Sequence, residues 1–139
     1  MDKRQVNPWS WQDKFGFSQA LRIDGAQSVI FLAGQGPVTA EGQVLEGDFE
    51  AQARLTFENM RTVLDQAGAT FDSVVKLTAY FTDISNLRDY AKVRNEFIVG
   101  HSPASTALEI GSLALPGMTI EVEAVAVLWD RGWHGSPPQ

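Results

Sequence analysis

Glu121 and Glu123 interrupt the apolar run Ile120-Glu121-Val122-Glu123-Ala124-Val125-Ala126-Val127-Leu128. Residues two apart on a strand share a face, so the two carboxylates point the same way. Partial burial raises the proton affinity of a carboxyl, which suits one of them to general acid or base chemistry in an intersubunit cleft. The alternative is a pair at a sheet edge, in solvent or neutralised by a basic residue. Arg94 is the second charge in an apolar setting, because Leu87, Tyr90, Ala91, Phe97 and Ile98 lie on the same helical stripe. A guanidinium there needs a carboxylate, a carbonyl or a ligand anion, or must reach water. It is either a structural salt bridge or a fork that holds an anionic substrate group. Gly34 ends an apolar run, where a ligand can approach the backbone or the chain simply turns. Gly34-Gln35-Gly36 is not a phosphate loop, since no Lys-Ser/Thr pair follows. His101, in a loop, is either a proton-transfer group or incidental.

These groups must be positioned by an alternation of strands and helices. Residues 18–23 and 27–34 read as strands, and Asp24-Gly25 between them signals a hairpin. Val29 to Ala33 is apolar on both faces, as in a strand buried on both sides. Asp48 is a good N-cap, Ala53, Phe57, Met60, Leu64 and Ala67 form one helical face, and Gly68 closes that helix. A strand over 74–82, a helix over 86–98 and strands over 104–110 and 119–129 follow. Residues 1–15 read as a lead-in that packs only in part, and 131–139 as a flexible tail. The expected fold is therefore α+β, β-β-α-β-α-β-β, a single domain over 1–139 with its core at about 16–130. Two helices cover one face of a five- or six-stranded sheet and leave the other bare. The last strand is apolar on that bare face too, at Val125, Val127 and Trp129. An uncovered apolar sheet face marks an association surface, here of a closed homo-oligomer.

Composition narrows the function classes. The chain has 139 residues and a net charge of −6, so it gains little from counterion release on nucleic acid. It has no cysteine, which removes thiol nucleophiles, thiolate metal sites and disulfides. Its two histidines, His101 and His134, are far apart in sequence, which argues against zinc. No secretory signal or membrane span is expected, and the reading is of a cytoplasmic protein without a cofactor.

Four segments carry a resemblance. Gly16-Phe17-Ser18-Gln19-Ala20, Phe31-Leu32-Ala33-Gly34-Gln35-Gly36-Pro37, Ser102-Pro103-Ala104-Ser105-Thr106-Ala107-Leu108-Glu109-Ile110 and Ile120-Glu121-Val122-Glu123-Ala124-Val125-Ala126 resemble the RidA/YjgF family, also called endoribonuclease L-PSP. The resemblance implies a chorismate-mutase-like domain that assembles as a homotrimer with a central barrel and clefts between subunits. It also implies hydrolysis of enamines or imines to a keto acid and ammonia. In that chemistry a last-strand glutamate, here Glu121, orients water, and the turn at Gly34 and Gln35 contacts substrate. Phe17 stands where the archetypal members carry a tyrosine, Ala33 where they carry a serine, and Ser105 where they carry the carboxylate-binding arginine. Phe17, Gly34, Gln35, Arg94 and Ser105 are thus the candidate substrate-binding residues of a branch without that arginine. The rival readings are a small-molecule-binding or regulatory protein with the same cleft, and an endoribonuclease or translation inhibitor.

Overall fold

The computed structural model describes residues 2–129; the expected tail at 131–139 lies outside them. Six strands and two long helices occur in the order β1 (Asp2–Val6), β2 (Ala20–Asp24), β3 (Ser28–Gln35), α1 (Phe49–Gln66), β4 (Val74–Phe81), α2 (Leu87–Phe97), β5 (Ala104–Glu109) and β6 (Ile120–Leu128). Short 3-10 turns lie at Trp11–Phe15, Phe71–Ser73 and Ile84–Asn86. The main sheet runs β3-β6-β4-β5. β6 is antiparallel to both its neighbours, and β4 is parallel to β5. A parallel pair needs a crossover connection, which α2 supplies between β4 and β5. The α+β class with both helices on one sheet face is as expected.

Helix α1 begins where Asp48 accepts a hydrogen bond from the Ala51 N–H at 2.9 Å. It ends at Gly68, with φ of 79°, as the Ala69 N–H folds back onto the Leu64 carbonyl at 2.9 Å. Ala53, Phe57, Met60 and Leu64 are fully buried, against Leu77, Phe81, Ile120 and Val122 of the sheet. Burying one such large side chain stabilises the fold by about 1.5–3 kcal/mol, so this layer fixes which sheet face is core.

Four features differ from the sequence reading. The turn at Asp24-Gly25 exists, with Gly25 at φ 78°, but its flanking strands do not pair as a hairpin. β2 pairs with β1 in a separate two-stranded sheet, so the lead-in segment includes a strand, and β3 pairs with β6. A turn fixes a reversal of the chain, not its hydrogen-bond partner. The apolar content decides the partner: β3 brings Ile30 and Leu32 to the core, while β2 is too exposed to gain from joining that sheet. The main sheet therefore has four strands rather than five or six. β3 is not buried on both sides within one chain, since Val29 and Phe31 remain 54% and 79% exposed. On α2 the buried stripe is Tyr90, Val93 and Arg94, whereas Leu87 lies exposed at the first turn.

Candidate functional site

Strand parity separates the candidate residues into two groups. Ile120, Val122, Ala124 and Ala126 point into the core, so Glu121 and Glu123 project from the opposite, open face of β6. On β5, Ser105 pairs with Leu77 and Ala107 with Ala79. Both partners are core residues, so Ser105 and Ala107 lie on the helix side. Arg94 is on that side too. Within one chain Arg94 and Glu121 therefore do not face one cleft.

On the helix side, α2, β5 and residues 13–17 enclose a cavity of about 830 Å³. Phe17, Tyr90, Arg94, Ser105 and Ala107 line it. Arg94 is only 7% exposed. Its Nη2 donates to the Phe15 carbonyl at 3.1 Å and to Asn95 Oδ1 at 2.9 Å, and its Nε donates to Asn95 Oδ1 at 3.2 Å. The guanidinium lies over the Tyr90 ring, 5.8 Å from its centroid. Neither Glu121 nor Glu123 of the same chain pairs with it. Gly16, at φ 78°, allows the approach: a Cβ there would stand 2.9 Å from Nη2. Phe17 packs edge-on to Trp11, and the Ser105 hydroxyl donates to the Pro103 carbonyl at 3.2 Å. Burial pushes the Tyr90 phenol up to about 12, against an opposing pull from Arg94. It stays a neutral hydrogen-bond donor across the physiological range.

On the open face, Glu121 lies across Gly34. A Cβ at Gly34 would overlap the Glu121 carboxylate, so glycine here allows the close approach of that side chain and does not serve a turn. The neighbouring Glu123 accepts a hydrogen bond from the Tyr80 hydroxyl. That bond, with burial and the charges of Glu123 and Glu121, raises the Tyr80 phenol above its ordinary range. Glu123 is thus engaged, whereas no side-chain hydrogen bond ties Glu121 among the described residues. Gln35 folds back, its Nε2 donating to the Ala33 carbonyl at 3.1 Å.

Two side-chain amides, that of the buried Gln52 and that of the half-buried Asn59, hold this half in place. Gln52 Nε2 donates to the carbonyls of Leu45 and Gly117 at 3.0 and 2.9 Å, and its Oε1 accepts from the Thr119 N–H at 2.9 Å. This fixes the chain just before Glu121. Asn59 Nδ2 donates to the carbonyls of Gly36 and Val38, both at 2.9 Å, fixing the turn after Gly34. The sequence reading named none of Gln52, Asn59 or Tyr80. Tyr80 carried a signal, because Lys76, Thr78 and Tyr80 alternate with the core residues Leu77, Ala79 and Phe81. The amides carried none, being polar positions on an otherwise ordinary amphipathic helix. His101 lies apart from the cavity, its Nδ1 3.9 Å from Asp72 and its Nε2 buried without a partner. No cluster of acidic, histidine or cysteine side chains able to hold a metal occurs among the described residues. No helix among them is long and apolar enough to cross a membrane.

Residues 12–128 match the model of the family described as endoribonuclease L-PSP. A RutC family protein of Pyrococcus abyssi is 34% identical over 111 residues, covering 79% of this chain and 84% of that protein. The human 2-iminobutanoate/2-iminopropanoate deaminase is 31% identical over 112 residues, covering 80% of this chain and 79% of the relative. Among solved structures, YyfB of Yersinia pestis, a protein of unknown function of the conserved Rid family, superposes with a TM-score of 0.83. It is 34% identical, and the match covers 92% of this chain and all of that one.

Proposed function

The chain belongs to the endoribonuclease L-PSP family, also called RidA/YjgF, and from that premise we propose that it hydrolyses an imine, enamine or related small metabolite by water activated at Glu121. Water attacks the imine carbon as Glu121 takes one of its protons and passes it to the nitrogen, giving a carbinolamine. The hydroxyl of the carbinolamine then loses its proton through Glu121 to the nitrogen as the C–N bond breaks, and a carbonyl compound and ammonia result. No cofactor enters this scheme. The observation that carries the reading is the contrast between the two strand carboxylates. Tyr80 engages Glu123, while Glu121 stands unengaged above the backbone of Gly34. The human relative's name, an imine deaminase, supports the same chemistry.

Arg94 takes the part of carboxylate clamp that Ser105 cannot fill, Phe17 and Ser105 form the wall, and Gly34 with Gln35 flanks the water. The two halves lie on opposite faces of one sheet, so a working cleft takes Arg94 from one protomer and Glu121 from the next. A homotrimer acting in the cytoplasm, each chain a single domain with the bare sheet faces turned inward, meets this need. The exposure of Phe31 and Val29 supports it.

The test is ammonia release from a panel of imines generated in situ from amino acids. Glu121→Gln is expected to lower the rate by about 10²-fold or more with the assembly intact, and an unchanged rate would overturn the proposal. Iminopropionate is expected to be a poor substrate, because the guanidinium of Arg94 stands on α2 and not at position 105 of β5, where a serine hydroxyl does not replace the charge-assisted bidentate pair of an arginine. Ser105 also favours a second reading, a cleft that binds small molecules without turning them over. Saturable ligand binding with no ammonia released from any imine would select it.

A further inference from the structure

Tyr90 is 3% exposed, and its ring is fixed between Phe57 and Phe81 at centroid distances of 5.8 and 5.1 Å. Its hydroxyl makes no hydrogen bond among the described residues, yet the residue lines the cavity. The hydroxyl is not sealed off, since His101 Nε2 is the only buried side-chain polar atom without a partner among the described residues, so the phenol oxygen opens onto the cavity and is free to meet a ligand. Arg94 beside it also keeps a donor open to the cavity. Its Nε and Nη2 are spent on Asn95 and Phe15, and its Nη1 donates to nothing among the described residues. Of the charged residues lining the cavity, Lys14, Arg88 and Arg94 are cationic and Asp13 alone is anionic. This is a local positive excess in a chain of net charge −6. Phe17, Leu87, Ala91 and Ala107 are apolar walls. A volume of about 830 Å³ is that of a pocket for a ligand far larger than a two- or three-carbon acid.

We propose that Tyr90 is a specificity-determining residue of this cavity, reading together with the free edge of Arg94 the carboxylate of a ligand whose body is a bulky apolar or aromatic group. The phenol donates one hydrogen bond and the Nη1 edge supplies charge-assisted ones. The small side chains of Ser105 and Ala107 leave room for the ligand body. This rests on the reading of Arg94 as a ligand clamp, and not on hydrolysis at Glu121.

Calorimetry on the full chain at neutral pH, with 3-phenylpropanoate, acetate and the neutral 3-phenylpropanamide, tests it. Wild type is expected to bind 3-phenylpropanoate about tenfold or more tighter than either other probe. Tyr90→Phe, which keeps the ring and its packing, should weaken 3-phenylpropanoate about five- to tenfold and leave the amide unchanged. Arg94→Gln should weaken it further. Equal binding by wild type and Tyr90→Phe, equal binding of acetate and 3-phenylpropanoate, or no binding of any probe overturns the proposal. Loss of imine hydrolysis with these affinities intact would overturn the hydrolase reading and leave this one standing.

Discussion

On its helix side the four-stranded sheet is closed by Phe57, Met60, Leu64 and Val93, all fully buried, whereas its other side presents Phe31 at 79% exposure beside Val29 and two carboxylates. The first face is finished within the chain; the second is not. The division also separates two kinds of chemistry. The helix side holds the buried cation, the neutral phenol and a cavity suited to recognition. The open side holds Glu121, a turn fixed by amides and the Tyr80–Glu123 pair, an arrangement suited to moving a proton. The cavity lies on the side whose packing is complete within the chain, and Glu121 on the side that is left bare within it.

The largest expected effect is on that unfinished face. Phe31→Asp should leave the monomer fold intact, because an exposed side chain carries little of its stability, and should convert the assembly to monomers in light scattering. A wild type that is already a stable monomer at micromolar concentration would break the comparison, since the open face would then be finished as it stands. A smaller effect should follow from Gly34→Ala. The added methyl meets the flexible end of Glu121, so the carboxylate swings aside at little cost to the fold. Ammonia release is expected to fall about 10- to 100-fold with the melting temperature nearly unchanged. An unaltered rate would mean that the position of Glu121 over Gly34 does not matter.

The smallest effect sharpens the description of the helix side. Tyr90 is held near 12 by burial, above the ordinary tyrosine value of 10.0. Below pH 10 the phenol is protonated folded and unfolded alike, and stability does not depend on it. Between about 10 and 12 the unfolded chain loses the proton first, so stability falls as pH rises, by on the order of 2 kcal/mol. Urea melts at about pH 9 and about pH 11.5 on wild type and Tyr90→Phe measure this directly. The variant should lack that part of the alkaline loss. Tyr80, whose phenol is also raised, contributes a loss of the same sign to both proteins, so the difference between them isolates Tyr90. Equal losses would show that the Tyr90 hydroxyl is better hydrated than its burial implies.

What was legible in the sequence follows how local each signal is. Asp48 and Gly68 delimit α1 because caps act within a single turn of chain. The period-two pattern of β6 places Glu121 and Glu123 on one face because parity needs no partner. The pairing of β2 with β1 was not legible, since Asp24-Gly25 encodes a reversal without naming what lies alongside. The boundary of the buried stripe on α2 was misread by one turn, with Val93 inside and Leu87 outside. Residues 84–86 turn the chain just before the helix and leave its first residue beyond the core. The placement of Arg94 and Glu121 on opposite faces was legible in outline, because two helices on one face leave the Glu121 side of β6 bare.

The fourfold engagement of Gln52 has a consequence for how this chain can change over generations. Both its amide hydrogens and its oxygen are committed, the oxygen twice, to Leu45, Gly117 and the main chain and hydroxyl of Thr119. The start of the strand bearing Glu121 is therefore tied to helix α1, and its register to β3 and β4, independently of the connection that precedes it. Residues 111–116 of that connection are largely exposed, and loop closure entropy grows only slowly with length. Insertions and deletions there are absorbed upstream of the clasp. The molecule thus has a stretch of chain free to drift in length and composition beside a glutamate whose position does not drift with it.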